Sequence, residues 1–397
     1  MYILNTPTSS GIMTFEMDEN DKDRYLVLTC AKKEDNYLIE FVEHYLNLGF
    51  DKIIIADNND EPTILTVLDK YIKENKVQVL DFRGISSFQV QLYSAFANLG
   101  VYKWCAYFDA DEFLEINAYL DIKTFLNEIE ENAVLFQWIN FGSNGEVHYN
   151  NKPLKERFPK PISPILYFKE NCFLKSIVRG GDYWKGSNFN GSHIPYFDET
   201  NKHKNIYNLG GYNKLLPEEE SHLHCRYPLC YKYGYLKHYY TKSFDEWITK
   251  SSRGWPDGTV SLNTATFFGY NKKETFDFDK FIYCAFGSNS DFYNDITKHS
   301  EFYNEILSKY SVIEFRNDSY LIYSLIITLV ACMKATTDHT FILTDKHIDN
   351  ILFGILLECA FHTGNRIVYC PTHTHVWNTY LKHHKNNEQT YYIITVN

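Results

Sequence analysis

The feature that most restricts this chain is an alternation of apolar runs and helical periodicities between residues 24 and 114. Arg24-Tyr-Leu-Val-Leu-Thr29 reads as a buried strand. In Asn36 to Leu48, residues Leu38, Phe41, Val42, Tyr45 and Leu46 recur at helical spacing, and Gly49 stands where a helix cap is expected. Lys52-Ile-Ile-Ile-Ala56 is a second strand, ending at Asp57-Asn-Asn-Asp60. Residues 62–74 give a second helix, Val77-Gln-Val-Leu80 a third strand and Phe88 to Leu99 a third helix. A fourth apolar stretch, Tyr102 to Phe108, ends in the acidic run Asp109-Ala110-Asp111-Glu112. Strands alternating with helices at this spacing predict an α/β fold with a mainly parallel sheet and right-handed crossovers. The acidic run then falls at a strand's carboxyl end, where open α/β sheets bind ligands. No GxGxxG follows the first strand, so the dinucleotide fingerprint is absent.

Two carboxylates two residues apart at a strand end suit a hard divalent cation. Mg²⁺ or Mn²⁺ takes oxygen ligands and leaves positions open for substrate phosphates. The competing reading is that both carboxylates cap the strand and the helix after it. The formal net charge of -11 argues against non-specific nucleic-acid binding and against a basic membrane-surface footprint. The nine cysteines are scattered without a CxxC pair, which fits reduced thiols in a cytosolic protein. His222-Leu-His224-Cys225 with Cys230 offers zinc-ligating side chains but lacks a regular second ligand pair. Met1 to Asp23 is polar and acidic, unlike a signal peptide, and the longest apolar run, Tyr320 to Met333, is short for a bilayer span. The expected location is cytoplasmic, with peripheral association at the inner membrane face.

Further along, residues 115–130 are expected to be helical, and Val134-Leu-Phe-Gln-Trp138 a strand running into Asn140-Phe-Gly-Ser-Asn-Gly145. Residues 146–215, rich in Gly, Asn, Pro and aromatics, are expected to be substrate-facing loops. Tyr231 to Tyr240 reads as a strand and 243–252 as a helix. Composition shifts around 272–285. Beyond it come helical runs at 296–309 and 317–335, a strand Thr340 to Leu343, a helix at 347–362 and a strand Arg366 to Tyr369. This divides the chain into a main domain, 1–274, and a smaller α/β or mainly helical accessory domain, 275–397.

Several of these segments together resemble a known family. They are Cys30-Ala-Lys-Lys-Glu34, Phe41-Val-Glu-His-Tyr45, Ile55-Ala-Asp57-Asn58, Gln91, Phe108-Asp-Ala-Asp-Glu-Phe-Leu114, Trp138 with Phe141-Gly142-Ser143, Glu156-Arg-Phe158, and Lys175-Ser-Ile-Val178. His238-Tyr-Tyr-Thr-Lys-Ser243 comes next, with Trp247, Lys250 and Arg253-Gly254. Over residues 24–256 the ordered set resembles the family 2-like and family 92 (DUF23-type) glycosyltransferases of GT-A fold. The family's usual Lys-Asn-Glu reads Lys32-Lys33-Glu34 here, which puts the role of position 33 in doubt.

The resemblance implies a metal-dependent, inverting hexosyltransferase that uses a nucleotide sugar, with UDP-sugar expected, on a glycan or glycolipid acceptor in surface-polysaccharide synthesis. It implies Asp109 and Asp111 as metal ligands, Asp109 also touching the ribose, with His238 as a late metal ligand and Lys242 beside the diphosphate. Asp57 and Asn58 would hold base and ribose, although Asp-Asn-Asn-Asp is equally good turn chemistry. Glu34, Arg83 and Gln91 are further donor-pocket candidates. The general base is open among Asp182, His193 and Glu112. Trp138, Phe141 and Trp184 are acceptor-platform candidates. Two rivals stand beside this reading. A nucleotidyltransferase would want a glycine-rich loop where Ala31-Lys32-Lys33-Glu34 has none, and a non-catalytic glycan- or nucleotide-binding module could retain the fold.

Overall fold

The computed structural model describes residues 1–8, 11–117, 120–163, 165, 168–196, 207–209, 212–215, 229–253, 264–271, 312–315, 329–330, 332–344, 350–370, 379, 382 and 391–396. The predicted strand–helix units all form. After a hairpin of β1 (Tyr2–Thr8) and β2 (Gly11–Met17) come β3 (Tyr25–Ala31), α1 (Asp35–Asn47) and β4 (Lys52–Asp57). The helix expected over 62–74 is split at Leu68 into α2 (Thr63–Val67) and α3 (Asp69–Lys73). It is followed by β5 (Val77–Asp81), α4 (Gln89–Leu99) and β6 (Trp104–Tyr107). β3 pairs in parallel with β4 on one side and β6 on the other, and β4 pairs with β5. The chain reverses its direction of winding between β3 and β6. That gap is the topological switch point, where the helices leave to opposite faces and a crevice opens.

Alternation along the strands explains the two-sided core. Val27, Ile53 and Ile55 face one layer with Leu38, Phe41 and Tyr45 of α1. Leu26, Leu28, Ile54 and Ala56 face the other layer with Leu92, Tyr93 and Phe96 of α4. A strand buried on both faces reads as an unbroken apolar run, which is what Lys52-Ile-Ile-Ile-Ala56 shows.

Beyond β6 the expectations need correcting. The helix expected over 115–130 is shorter: residues 115 and 116 close β7 (Glu112–Ile116), and only then comes the short α5 (Ile122–Asn127). Asp109-Ala-Asp111 is therefore a turn between two strands. β8 (Ala133–Asn140) is next, then a single helical turn, α6 (Leu154–Arg157). The region expected to be loops contributes β9 (Leu174–Arg179), β10 (Asn188–Asn190), β11 (Ile194–Tyr196), β12 (Tyr207–Leu209) and β13 (Tyr212–Leu215). β9 is inserted antiparallel between β6 and β8. Its Leu-Lys-Ser-Ile-Val-Arg sequence hides a strand because Lys175 and Ser176 are buried polar residues in an otherwise apolar run.

β14 (Gly234–His238) completes the sheet, antiparallel to β7 and parallel to β8. The ten strands run β13-β12-β8-β9-β6-β3-β4-β5, with β14 and β7 branching from β8. This is the mainly parallel, helix-flanked sheet expected of a GT-A fold. Helices α7 (Phe244–Arg253) and α8 (Thr264–Tyr270) come after it.

Among the described later residues, β15 (Val312–Phe315), β16 (Thr340–Leu343), β17 (Arg366–Tyr369) and β18 (Tyr391–Val396) form a second, all-parallel sheet in the order β15-β18-β16-β17. It carries α9 (Asn350–Thr363). The boundary placed at 274/275, the helix at 296–309, most of that at 317–335 and the His222–Cys225 cluster lie outside the described residues. α9 packs on the main sheet. The buried Glu358 carboxylate accepts from Ser163 Oγ and the Ile165 amide, and Phe361 packs on Phe141 and Tyr235. The described cysteines are all free thiols, and no helix among the described residues is long and apolar enough to cross a membrane.

Two features of β14 give testable expectations. A Cβ on Gly234 would sit 2.7 Å from Phe136 Cε1 and 2.8 Å from the Glu115 carbonyl oxygen. Gly234→Ala should therefore destabilise the protein by about 1–3 kcal/mol, read as a lower urea midpoint. Glu115 joins the two sheets, with Lys237 at 2.7 Å and Arg366 at 3.9 Å. Burial alone would raise its carboxyl, but Lys237 and Arg366 bring it down to about 2. A carboxyl lowered in the folded state stabilises above its unfolded value and loses that contribution as pH falls toward the folded one. Between pH 4.5 and 2 the wild type should thus lose stability more steeply than Glu115→Gln; parallel urea curves would contradict this.

Candidate active site

A cavity of about 320 Å³ opens at the carboxyl ends of β3 and β6. The β3–α1 connection brings Lys32 and Glu34, α4 brings Gln89, and the turn after β6 brings Asp109 and Asp111. The far wall holds Trp138 and Asn140 of β8, Phe173, His193 and Tyr240, with Lys250 and Arg253 of α7. His238 arrives by register. On β14 it lies opposite Glu112 of β7 and beside Asn140 of β8. That sets its Nε2 3.7 Å from Asp111 Oδ1.

Four buried or half-buried acids meet four cations here. Asp111 Oδ2 accepts from Lys250 Nζ at 2.9 Å and lies 3.4 Å from Lys242 Nζ. Asp109 accepts from Gln89 Nε2 at 2.9 Å on one oxygen and from Lys175 Nζ at 2.8 Å on the other. Glu34 accepts from Lys242 at 3.1 Å and from Arg253 at 2.6 Å, and Arg253 also donates to the Lys32 carbonyl. Glu112 accepts the Asp109 amide at 2.9 Å and sits 3.8 Å from Lys175. Lys242 holds a left-handed backbone, φ +53°, which a lysine adopts only when its surroundings enforce it.

Burial would raise the Asp111 carboxyl, but Lys250 and Lys242 hold it well below the usual carboxylate range. The same contest leaves Glu34 lowered, through Lys242 and Arg253. Burial wins at Glu112, whose carboxyl is pushed well up. It also wins at His238, brought down to about 3 despite Asp111, so its imidazole is neutral at ordinary pH. His238 Nδ1 is buried without a hydrogen-bond partner. An ionised carboxylate and a neutral imidazole nitrogen 3.7 Å apart are close enough to share one cation. The donor chemistry therefore fits a divalent metal, although among the described residues no three such ligands converge.

Of the candidate residues named from the sequence, Glu34, Asn58, Asp109, Asp111, Trp138, His193, His238, Lys250 and Arg253 line this one cavity. The others do not. Lys242 stands behind Asp111 and faces a second cavity of about 140 Å³. Asp57 is buried and accepts the Asn59 amide at 2.9 Å, so the turn chemistry prevails there. The Asn58 amide nitrogen is tied to the Phe82 and Ile85 carbonyls. Arg83 turns away to pair with Asp81 at 2.7 Å. Gln91 lies on the exposed face of α4, whereas Gln89, two residues earlier, points in. Asp182 is at the wrong end. β9 runs antiparallel to β6, with Arg179 opposite Trp104, so residues after Arg179 emerge at the amino end of β6. Trp184 follows Asp182 there, and Phe141 is buried against Tyr239 and Phe361. Glu112 is fully buried and holds the acidic turn. Sequence reasoning misses Gln89 and Lys175 as site residues, although a lysine inside an apolar strand is a signal for Lys175.

Removing either Lys242 or Lys250 leaves Asp111 one ammonium; removing both leaves a bare buried carboxylate, a loss of about 3–5 kcal/mol. Lys242→Met with Lys250→Met should thus be more destabilising than the two single changes summed, as a double-mutant cycle of urea midpoints would show. Additive losses would mean that the ammoniums do not share Asp111.

The family model for glycosyltransferase family 92 matches residues 28–251, more than half of the chain. No curated protein matches it. Among solved structures, S. aureus TarS 1–349 in complex with UDP-GlcNAc aligns at 12% identity over 79% of this chain and 82% of that one, with a TM-score of 0.31. TarS 1–349 in another crystal structure aligns at 13% identity over 39% of this chain and 47% of that one, with a TM-score of 0.27. The apo-form glycosyltransferase GlyE of Streptococcus pneumoniae TIGR4 aligns at 13% identity over 41% of this chain and 35% of that one, with a TM-score of 0.23. The last two alignments span less than half of the matched proteins, and scores this low carry no functional argument. The family match rests on different ground, its span running from β3 through the acidic turn, His238 and Lys250: the chain belongs to glycosyltransferase family 92.

Proposed function

We propose that this enzyme transfers a hexose from a UDP-sugar to a glycan or glycolipid acceptor, with inversion at the anomeric carbon and with Mn²⁺ or Mg²⁺ as cofactor. The observation that carries this reading is the approach of Asp111 and His238 to 3.7 Å in a cavity that also holds Lys250 and Arg253. Asp111 and His238 would hold the metal, with Asp109 next to them on the same turn. When bound, the cation acts as a Lewis acid on the departing diphosphate.

The chain's own groups do the rest. Lys250, held on Asp111 by charge and lining the cavity, is placed to donate to phosphate oxygens as negative charge develops on them, and Lys242 supports Asp111 from behind. Arg253, anchored on Glu34 and the Lys32 carbonyl, fixes the β3–α1 loop that closes the nucleotide end. Lys175 and Gln89 clamp both oxygens of Asp109, so this carboxylate meets a ligand already oriented. The rings of Trp138, Phe173 and Tyr240 form an apolar wall on which a sugar face can lie.

Thermal shifts with UDP, GDP and CMP, each with and without Mn²⁺, test the donor and the metal together. UDP with Mn²⁺ should stabilise the protein by about 2.7 kcal/mol at a hundredfold excess over Kd, and Asp111→Asn should lose that response. An equal response to UDP without metal would remove the cofactor from the reading. A larger response to GDP or CMP would remove UDP.

A further inference from the structure

The base that deprotonates the acceptor is not fixed by the donor site, but three observations single it out. Asp182 emerges at the amino end of β6, across the sheet from the cavity. Glu112 is fully buried and holds the Asp109 amide. His193 alone of the three lines the cavity, at the tip of the β10–β11 hairpin.

Its setting is that of an oriented imidazole. Nδ1 lies 2.8 Å from the Leu174 carbonyl oxygen, which can only accept, so in the neutral ring Nδ1 carries the proton and Nε2 the lone pair. The backbone is pinned too, since Ser176 Oγ donates to the His193 carbonyl at 2.9 Å. Trp138 and Phe173 pack on the ring with centroids 5.6 and 5.8 Å away, and both also line the cavity. The titratable groups around it include Lys175 on β9, bonded at 3.2 Å to the neighbouring Ser192, Asp109 beyond that lysine, and His238 across Trp138.

We propose that His193 is the general base of the transfer, and that the acceptor is a saccharide hydroxyl held against the Trp138–Phe173 wall. This rests on the UDP-hexose reading above. In the step, the acceptor oxygen forms its bond to the anomeric carbon while its proton passes to His193 Nε2. The bond from that carbon to the diphosphate oxygen breaks, UDP leaves with the electron pair, and the imidazolium later returns its proton to water.

The experiment compares wild type with His193→Asn and His193→Phe. Asparagine can keep the donor to the Leu174 carbonyl while removing Nε2; phenylalanine keeps the stacking and removes both nitrogens. UDP release from UDP-glucose, UDP-galactose and UDP-N-acetylglucosamine is followed from pH 5 to 9 with Mn²⁺, with water or added monosaccharides as acceptor. UDP affinity is measured separately by thermal shift. Both variants should bind UDP within about twofold of wild type and lose about 10²–10⁴-fold in turnover. The acidic limb of the wild-type pH profile should vanish, and added imidazole should restore part of the rate to the asparagine variant. Turnover within tenfold of wild type, or an unchanged acidic limb, would overturn the assignment of His193. Wild type that binds UDP but releases none from any hexose donor would overturn the hexose reading and the base with it. Wild type that does not bind UDP would overturn the donor reading before the base is reached.

Discussion

Carboxylates taken out of water must be met by cations, and that requirement organises the centre of this protein. Asp109, Asp111 and Glu34 are each ion-paired at 3.1 Å or less, to Lys175, to Lys250, and to Arg253 and Lys242. The partners come from β9, α7 and the segment after β14, so the acids at the switch point hold distant parts of the chain in register. An isolated pair of this kind adds little net stability. What the network adds is a unique geometry, because each acid shares a cation or a neighbour with the next. The left-handed Lys242 is one local cost of that arrangement.

Much of the fold is legible in the sequence because strands buried on both faces and helices buried on one leave different periodicities. The run from Tyr25 to Leu99 follows that rule apart from the break at Leu68, and α1 ends one residue before its expected limit. Legibility fails where polar residues are buried. β9 is hidden by Lys175 and Ser176, which belong to a strand because Asp109 and the His193 carbonyl receive them. β7 is hidden because Glu112 and Glu115 are polar residues in an apolar stretch, so the expected helix is begun at residue 115. Both glutamates are strand residues whose charges are settled by the fold, Glu112 in the acidic turn and Glu115 with Lys237.

The site divides in the same way. The acidic turn can be placed from its position after an apolar run, and the late histidine from the resemblance. Geometry then separates residues that sequence treats alike. Gln89 and Gln91 are both glutamines on one helix, but only the first reaches Asp109. Asp57 and Asn58 carry good ligand chemistry, and the turn uses most of it. Asp182 fails because an antiparallel strand returns the chain to the far edge of the sheet, a fact of topology that no local motif encodes.

The lateness of β14 also fixes the order in which the site can come into being. β3, β4, β5 and β6 are joined by local crossovers and can associate early, since short chain closures are the fast ones. His238, Lys242, Lys250 and Arg253 all lie past Gly234 in the chain. During synthesis the acidic turn therefore leaves the ribosome well ahead of the residues that neutralise Asp111 and Glu34. Until β14 inserts between β7 and β8, those carboxylates have to stay hydrated, and the crevice has to stay open to water. Closure of the catalytic lobe and charge neutralisation of its centre are thus a single, late event in the life of the chain.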